Sequence, residues 1–173
     1  EEINFLVSCD ARNRFLRNLA CSLDGNTLVL FNLVEKHGKV LRDLIEDKLK
    51  NGRRLFYVSG ETKTSDREAV RKIVEKQSNA VVLASLGTFS TGINIRNLHN
   101  IIFASPSKSQ IRVLQSIGRG LRVAEDGRDT RLYDVADDLR CSSKPNFTLR
   151  HSAERIKIYE TEKFPFKITE VKL

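Results

Sequence analysis

Five short apolar runs rich in β-branched residues recur along the chain, at Thr27 to Phe31, Arg54 to Val58, Ala80 to Ser85, Asn100 to Ala104 and Thr130 to Val135. Apolar residues in unbroken runs, without polar alternation, mark strands covered on both faces. Two helical patterns lie between them. Val34 to Leu49 sets Leu41, Leu44, Ile45 and Leu49 on one face, and Ser65 to Gln77 does the same with Ala69, Val70, Ile73 and Val74. Strands alternating with helices predict an α/β fold with a mainly parallel sheet flanked by helices. Asp10 to Leu23 predicts a further helix on the sheet's flank, with Phe15, Leu16, Leu19 and Ala20 at helical spacing and Asp10 as its N-cap. Ser107 to Ile117 predicts another, set off from the strand before it by Pro106.

The 173 residues, 40% of them hydrophobic, suffice for one well-cored domain of ordinary size. Beyond Asp138 the texture changes. Ser142, Ser143, Lys144 and Pro145 read as a loop, Phe147 to about Glu160 as a helix, and Phe164, Phe166 and Ile168 as an alternating extended segment. The expected division is a core over 1–139 and a C-terminal extension over 140–173. The chain begins Glu-Glu and contains no methionine, so it is expected to be a piece of a longer protein.

Thirty Lys and Arg against 22 Asp and Glu leave a net charge of +8, which favours a polyanionic partner such as nucleic acid. On charge alone a merely soluble basic surface stays open. Cys9, Cys21 and Cys141 are odd in number and widely spaced, so neither a disulfide framework nor a zinc site is indicated and a reducing cytoplasm fits. His37, His99 and His151 lack metal-ligand spacing and are expected to be structural or exposed. No apolar run reaches bilayer-spanning length and no signal peptide is visible, so the expectation is a soluble, intracellular protein without a membrane partner.

In a parallel α/β sheet, function collects at the carboxyl ends of the strands. The strongest segment there is QSIGRGLR. Gln115, Arg119 and Arg122 are spaced by four and three, which on a helix puts them on one face. Gly118 and Gly120 beside Arg119 let another surface approach closely. A guanidinium stays charged and its planar fork matches phosphate oxygens, as stabilisation of phosphoryl transfer requires. The alternative is a helix end with its arginines in solvent near the C-terminal dipole.

A second segment, ASLGTFSTGIN from Ala84 to Asn94, combines hydroxyl and small residues after a strand. Ser85 and Thr88 suit a nucleic-acid backbone, and Gly92 and Asn94 suit a nucleotide. A third, Tyr57 to Arg67, is a polar turn in which Ser59, Gly60 and Lys63 could follow a phosphate backbone; Asn32 has the same standing after the first strand. An ordinary turn is the competing reading for each. Absences matter too. Gly38-Lys39 is followed by Val40 inside a helical pattern and is no P-loop, and Asp137-Asp138 has no matching lysine loop with which to hold magnesium. The chain is not expected to hydrolyse ATP by itself.

Taken in order, LVLFN (Leu28 to Asn32), YVSGET (Tyr57 to Thr62), ASLGTFSTGINI (Ala84 to Ile95) and QSIGRGLR (Gln115 to Arg122) resemble the C-terminal helicase domain of superfamily 2. With the tail from Arg155 to Leu173, the set is most similar to the recombination helicases of tailed phages. The resemblance implies a RecA-like three-layer α/β/α domain with a short C-terminal extension. It implies that Arg119 and Arg122 reach the γ-phosphate of ATP and Mg2+ held by an N-terminal RecA-like domain, with Gln115 coupling that contact to domain closure. Gly92, Asn94 and Gly118 would lie by the nucleotide, although Asn94 stands where many relatives carry aspartate. Asn32, Ser59, Gly60, Lys63, Ser85 and Thr88 would touch DNA. The implied substrate is branched DNA, processed in recombination, repair or at replication forks, and the implied place is the host bacterial cytoplasm if the chain is phage-encoded. A RecA-like module kept only for DNA binding or protein docking is the alternative.

Overall fold

A computed structural model describes residues 1–49, 52–90, 95–105, 127–140 and 144–173. All five expected strands are present, each within a residue or two of its apolar run: β1 Thr27–Phe31, β2 Leu55–Val58, β3 Val81–Ser85, β4 Asn100–Phe103 and β5 Arg131–Asp134. They form one sheet in the order β2-β3-β1-β4-β5, and every neighbouring pair is parallel. Central strand β1 is buried along its whole length, as its unbroken TLVLF run requires.

Successive side chains point to opposite faces, so each strand feeds two cores. Val29 and Phe31 join Val81, Leu83 and Ile102 against Leu16 and Ala20 of α2 (Asp10–Ser22) and Leu41 and Ile45 of α3 (Lys39–Lys48). On the other face Leu28 and Leu30 join Val82, Ala84, Ile101 and Phe103 against Val74 of α4 (Thr64–Glu75) and Tyr159 of α6 (Phe147–Thr161). The result is three layers, α/β/α. Burying each such Leu, Ile or Phe contributes about 1.5–3 kcal/mol, and most of the fold's driving force lies in these two cores.

At the amino edge, Asn26 ties four segments together. Its side-chain oxygen accepts from the Ala80 N–H at 2.8 Å, and its amide nitrogen lies 2.6 and 2.8 Å from the carbonyls of Gln77 and Asn97. Its own N–H donates to His99 Nδ1 at 2.8 Å. Gly25 precedes it at φ +90°, where a Cβ would stand 2.7 Å from the His99 ring, so both backbone and space demand glycine.

The chain differs from expectation in three places. A short helix α1 (Glu2–Ser8) precedes α2. Cys9, not Asp10, holds the N-cap position of α2; Asp10 lies inside the first turn, where its charge suits the helix dipole, and pairs with Arg14. The Val34 to Leu49 pattern opens as a π-helical turn, Val34–Gly38, before α3 begins. Residues 164–173 lie outside helix and strand; Phe164 donates its N–H to the Tyr159 carbonyl, and the Phe166 ring tilts over Tyr159 at 6.0 Å.

Three polar ties, two of them buried, join the chain's first helices and its last segment to this frame. Arg12 of α2, 1% exposed, donates Nε to Asp137 Oδ1 at 2.7 Å. Arg155 of α6, also 1% exposed, grips both carboxylate oxygens of Asp134 at the end of β5, at 2.7 and 2.8 Å. Tyr159 adds its hydroxyl to the same carboxylate at 2.7 Å. Burial first, then the Asp134 charge, pushes the Tyr159 hydroxyl well above its ordinary pKa, so it remains a donor. Glu2 caps α6 from a distance of more than a hundred residues, accepting the N–H groups of Phe147 and Thr148 at 2.9 and 2.8 Å and the side chains of Thr148 and Asn146. Burial works against the Glu2 charge, but those hydrogen bonds outweigh it and hold the carboxyl at about 2.

Candidate functional site

Because the sheet is all parallel, every strand delivers its carboxyl end to the same edge. Phe31 is level with Ser85, Val58 with Ala84, and Leu30 and Asp134 with Phe103. Asn32, Ser59 to Lys63, Ser85 to Thr88, and Ser105 are therefore collected along one rim, although they span more than seventy positions of sequence.

Each stretch is held by its own local logic. After β2, the Ser59 N–H donates to Thr62 Oγ1 at 3.0 Å and the Thr62 N–H returns to the Ser59 carbonyl at 3.1 Å, closing a tight turn. Arg67, reaching back from α4, donates to the carbonyls of Thr62 and Gly60 at 2.8 and 3.1 Å. This arginine is thus spent on holding the turn. Ser59 is buried within it, while Gly60 and the Lys63 cation, at the N-cap position of α4, are exposed.

After β3 the chain turns at once into the short helix α5 (Leu86–Ser90). Ser85 caps it, its hydroxyl oxygen 3.4 Å from the Thr88 N–H and 2.7 Å from the Thr88 hydroxyl. Both hydroxyls are engaged in the cap, and Ser85 and Thr88 are only 7% and 3% exposed. Gly87 and Ser90 present the exposed surface of this stretch.

After β1, Asn32 is exposed, and its backbone N–H donates to Ser105 Oγ at 2.9 Å. Ser105 lies past the end of the neighbouring β4, and the Ala104 N–H has just paired with the Leu30 carbonyl at 3.0 Å. His37, on the π-helical turn, places Nδ1 3.1 Å from the same Ser105 oxygen. Complete burial, reinforced by the Arg12 charge, pushes the His37 pKa down to about 3, so the ring is neutral at ordinary pH. Ser105 and His37 were not singled out by sequence. A hydroxyl next to a strand-ending Pro and a histidine on an otherwise helical face carry no signal without knowledge of which strands adjoin.

The acidic pair after β5 is structural here: Asp137 binds Arg12 and Asp138 binds Arg140. All three histidines are buried. Among the described residues no group of His, Cys, Asp and Glu could hold a metal ion, and no helix is long and apolar enough to cross a membrane. Gln115, Gly118, Arg119 and Arg122, together with Gly92 and Asn94 and the expected helix Ser107 to Ile117, lie outside the described residues.

Residues 4–124 match the model of the helicase conserved C-terminal domain. The chain belongs to that helicase family. The helicase domain is similar to the ATP-dependent DNA helicase uvsW of enterobacteria phage T4, with 34% identity over the whole chain and 36% of that protein. It is also 34% identical, over 55% of its length, to the putative ATP-dependent helicase IRC3 of Saccharomyces cerevisiae, of which it covers 13%. The crystal structure of T4 UvsW superposes with a TM-score of 0.71 at 33% identity, covering 93% of this chain and 34% of that one. The E. coli DEAD-box protein SrmB, at 21% identity, shares the fold with a TM-score of 0.53 over 71% of this chain and 68% of its own. The helicase domain is thus RecA-like, and it spans about a third of the length of its phage relative.

Proposed function

We propose that this domain is the C-terminal motor half of an ATP-dependent DNA helicase or translocase, completed by an N-terminal RecA-like domain that binds ATP and Mg2+. The single observation that carries this reading is the collection of Asn32, the Ser59 to Lys63 turn and the Ser85 to Thr88 cap on one rim of a helicase-family sheet. A phosphate backbone laid along that rim meets the exposed Asn32 side chain, the exposed Gly60 and the Lys63 cation, contacts that position without reading sequence. Ser85 and Thr88 would join it on reorientation of their shared cap.

In this reading Arg119 and Arg122 cross the interdomain cleft to the γ-phosphate, Gln115 couples that contact to closure, and Gly92, Asn94 and Gly118 line the nucleotide. The magnesium ion would be held by the first domain together with ATP. Cyclic closure around ATP would move this domain along DNA, with branched DNA as the substrate and the cytoplasm, a bacterial host's if the gene is a phage's, as the setting. Residues 1–139 would form the helicase unit and 140–173 an extension clasped to it through Glu2 and Arg155.

The test is Arg122→Ala in the full-length protein. DNA-stimulated ATP hydrolysis is expected to fall by about a thousandfold while DNA affinity is largely retained. Unchanged turnover would remove the arginine-finger assignment and leave a DNA-binding or protein-docking module.

A further inference from the structure

The end of β1 is enclosed by a ring of contacts that the family match does not assign. Phe31, the last residue of β1, lays its ring against Gly38, where a Cβ would stand 2.4 Å from the ring carbon Cε2. Only glycine fits there. Gly38 closes a π-helical turn in which both the His37 and Gly38 N–H groups converge on the Leu33 carbonyl, at 3.1 and 2.9 Å. A one-residue bulge of this kind changes where the next side chains point, and such bulges recur at functional positions. Here His37 is carried inward to Ser105, and Ser105 accepts the Asn32 N–H. Phe31, Gly38, His37, Ser105 and Asn32 thus close a circuit around one strand end, with His37 and Ser105 buried and Asn32 exposed.

The chemistry of that circuit favours positioning over packing. An apolar side chain would fill the His37 space at no polar cost, whereas the neutral imidazole leaves Nε2 buried without a hydrogen-bond partner, next to an Arg12 whose two terminal nitrogens are likewise unpartnered. Burying such groups is unfavourable. The one hydrogen bond the ring makes is directed at the hydroxyl that holds the Asn32 backbone. Ser105 is also the residue from which the segment 106–126, bearing Gln115, Arg119 and Arg122, departs.

We propose that His37 and Ser105 are positioning residues for the Asn32 turn, fixing its backbone so that the exposed Asn32 side chain meets a nucleic-acid phosphate at the root of the segment carrying the arginine pair. This rests on the DNA contact proposed above at Asn32. Preorganising the turn spares the binding step the entropy of ordering it, so losing the tie weakens DNA engagement more than it alters the chemistry of a bound complex.

The experiment uses the full-length protein and a forked DNA duplex with single-stranded arms, and measures ATP turnover against DNA concentration together with thermal melting. Ser105→Ala and His37→Leu are expected to raise the half-saturating DNA concentration roughly five- to tenfold, the equivalent of one lost hydrogen bond, with turnover at saturating DNA within about twofold of wild type. His37→Asn keeps a polar atom near the position of Nδ1 and is expected to recover most of the loss. A half-saturating concentration unchanged in Ser105→Ala, or a His37→Asn variant as defective as His37→Leu, would overturn the proposal. Asn32→Ala separates the two layers of argument. If it binds DNA like wild type, the Asn32 contact itself fails; if it binds weakly while Ser105→Ala binds normally, the contact stands and the positioning role alone is refuted.

Discussion

Replacing Arg155 with alanine strips the Asp134 carboxylate of two of its three charge-assisted hydrogen bonds, at 2.7 and 2.8 Å, and leaves only the Tyr159 hydroxyl. Asp134 is 15% exposed through its side chain, so water cannot fully replace the guanidinium. Breaking a buried pair by removing one partner costs about 3–5 kcal/mol, and the residual exposure of Asp134 places the expected loss near the lower limit, about 3 kcal/mol. For a chain of this size that lowers the melting temperature by about 6–12 °C. Circular dichroism melts and urea titrations of the chain would measure it. Replacing both partners, Asp134→Leu with Arg155→Met, should recover stability to within about 1 kcal/mol of the original, because no uncompensated charge remains. An Arg155→Ala variant that melts within about 1 °C of the parent would refute the reasoning. A separate early transition would show that α6 unfolds independently of the sheet.

Two further outcomes follow from the site. The pKa of His37 is lowered to about 3 in the fold from an ordinary 6.5, so the unfolded chain takes up a proton that the folded one refuses. Its contribution is intact above pH 6.5 and is lost as pH falls towards 3, at up to about 1.4 kcal/mol per pH unit. Urea unfolding from pH 7 to 4 should show this slope reduced in His37→Asn, and an unaltered slope would contradict the assignment. Gly38→Ala forces a methyl into the Phe31 ring and should destabilise by about 1–3 kcal/mol in urea midpoints. Adding Phe31→Leu should return part of that loss, and an alanine variant with an unshifted midpoint would show that the ring gives way freely.

Much of the architecture was legible because burial on both faces compels unbroken apolar runs. Each strand accordingly fell within a residue or two of its run, and the α4 and α6 patterns matched their helices. The errors have local causes. A π-helical turn at Val34–Gly38 preserves the amphipathic face while adding a residue, so the 3.6-residue pattern cannot register it. Helix α1 is too short to establish a periodicity, and Asp10 could serve the dipole from inside the helix as readily as from its cap.

Asn32, Lys63, Ser85 and Thr88 were legible as candidates because each follows a strand, and a parallel sheet must place all such ends together. What that reasoning cannot supply is the partner of a buried polar atom. Asn32 meets Ser105 across 73 positions and Arg12 meets Asp137 across 125, pairings that exist only because β4 and β5 follow β1 in the order β2-β3-β1-β4-β5. Nearest-neighbour pattern and burial determine what each segment becomes, and those are written in the sequence. Which distant hydrogen-bonding groups satisfy one another depends on strand order and helix placement, which only the packed chain decides.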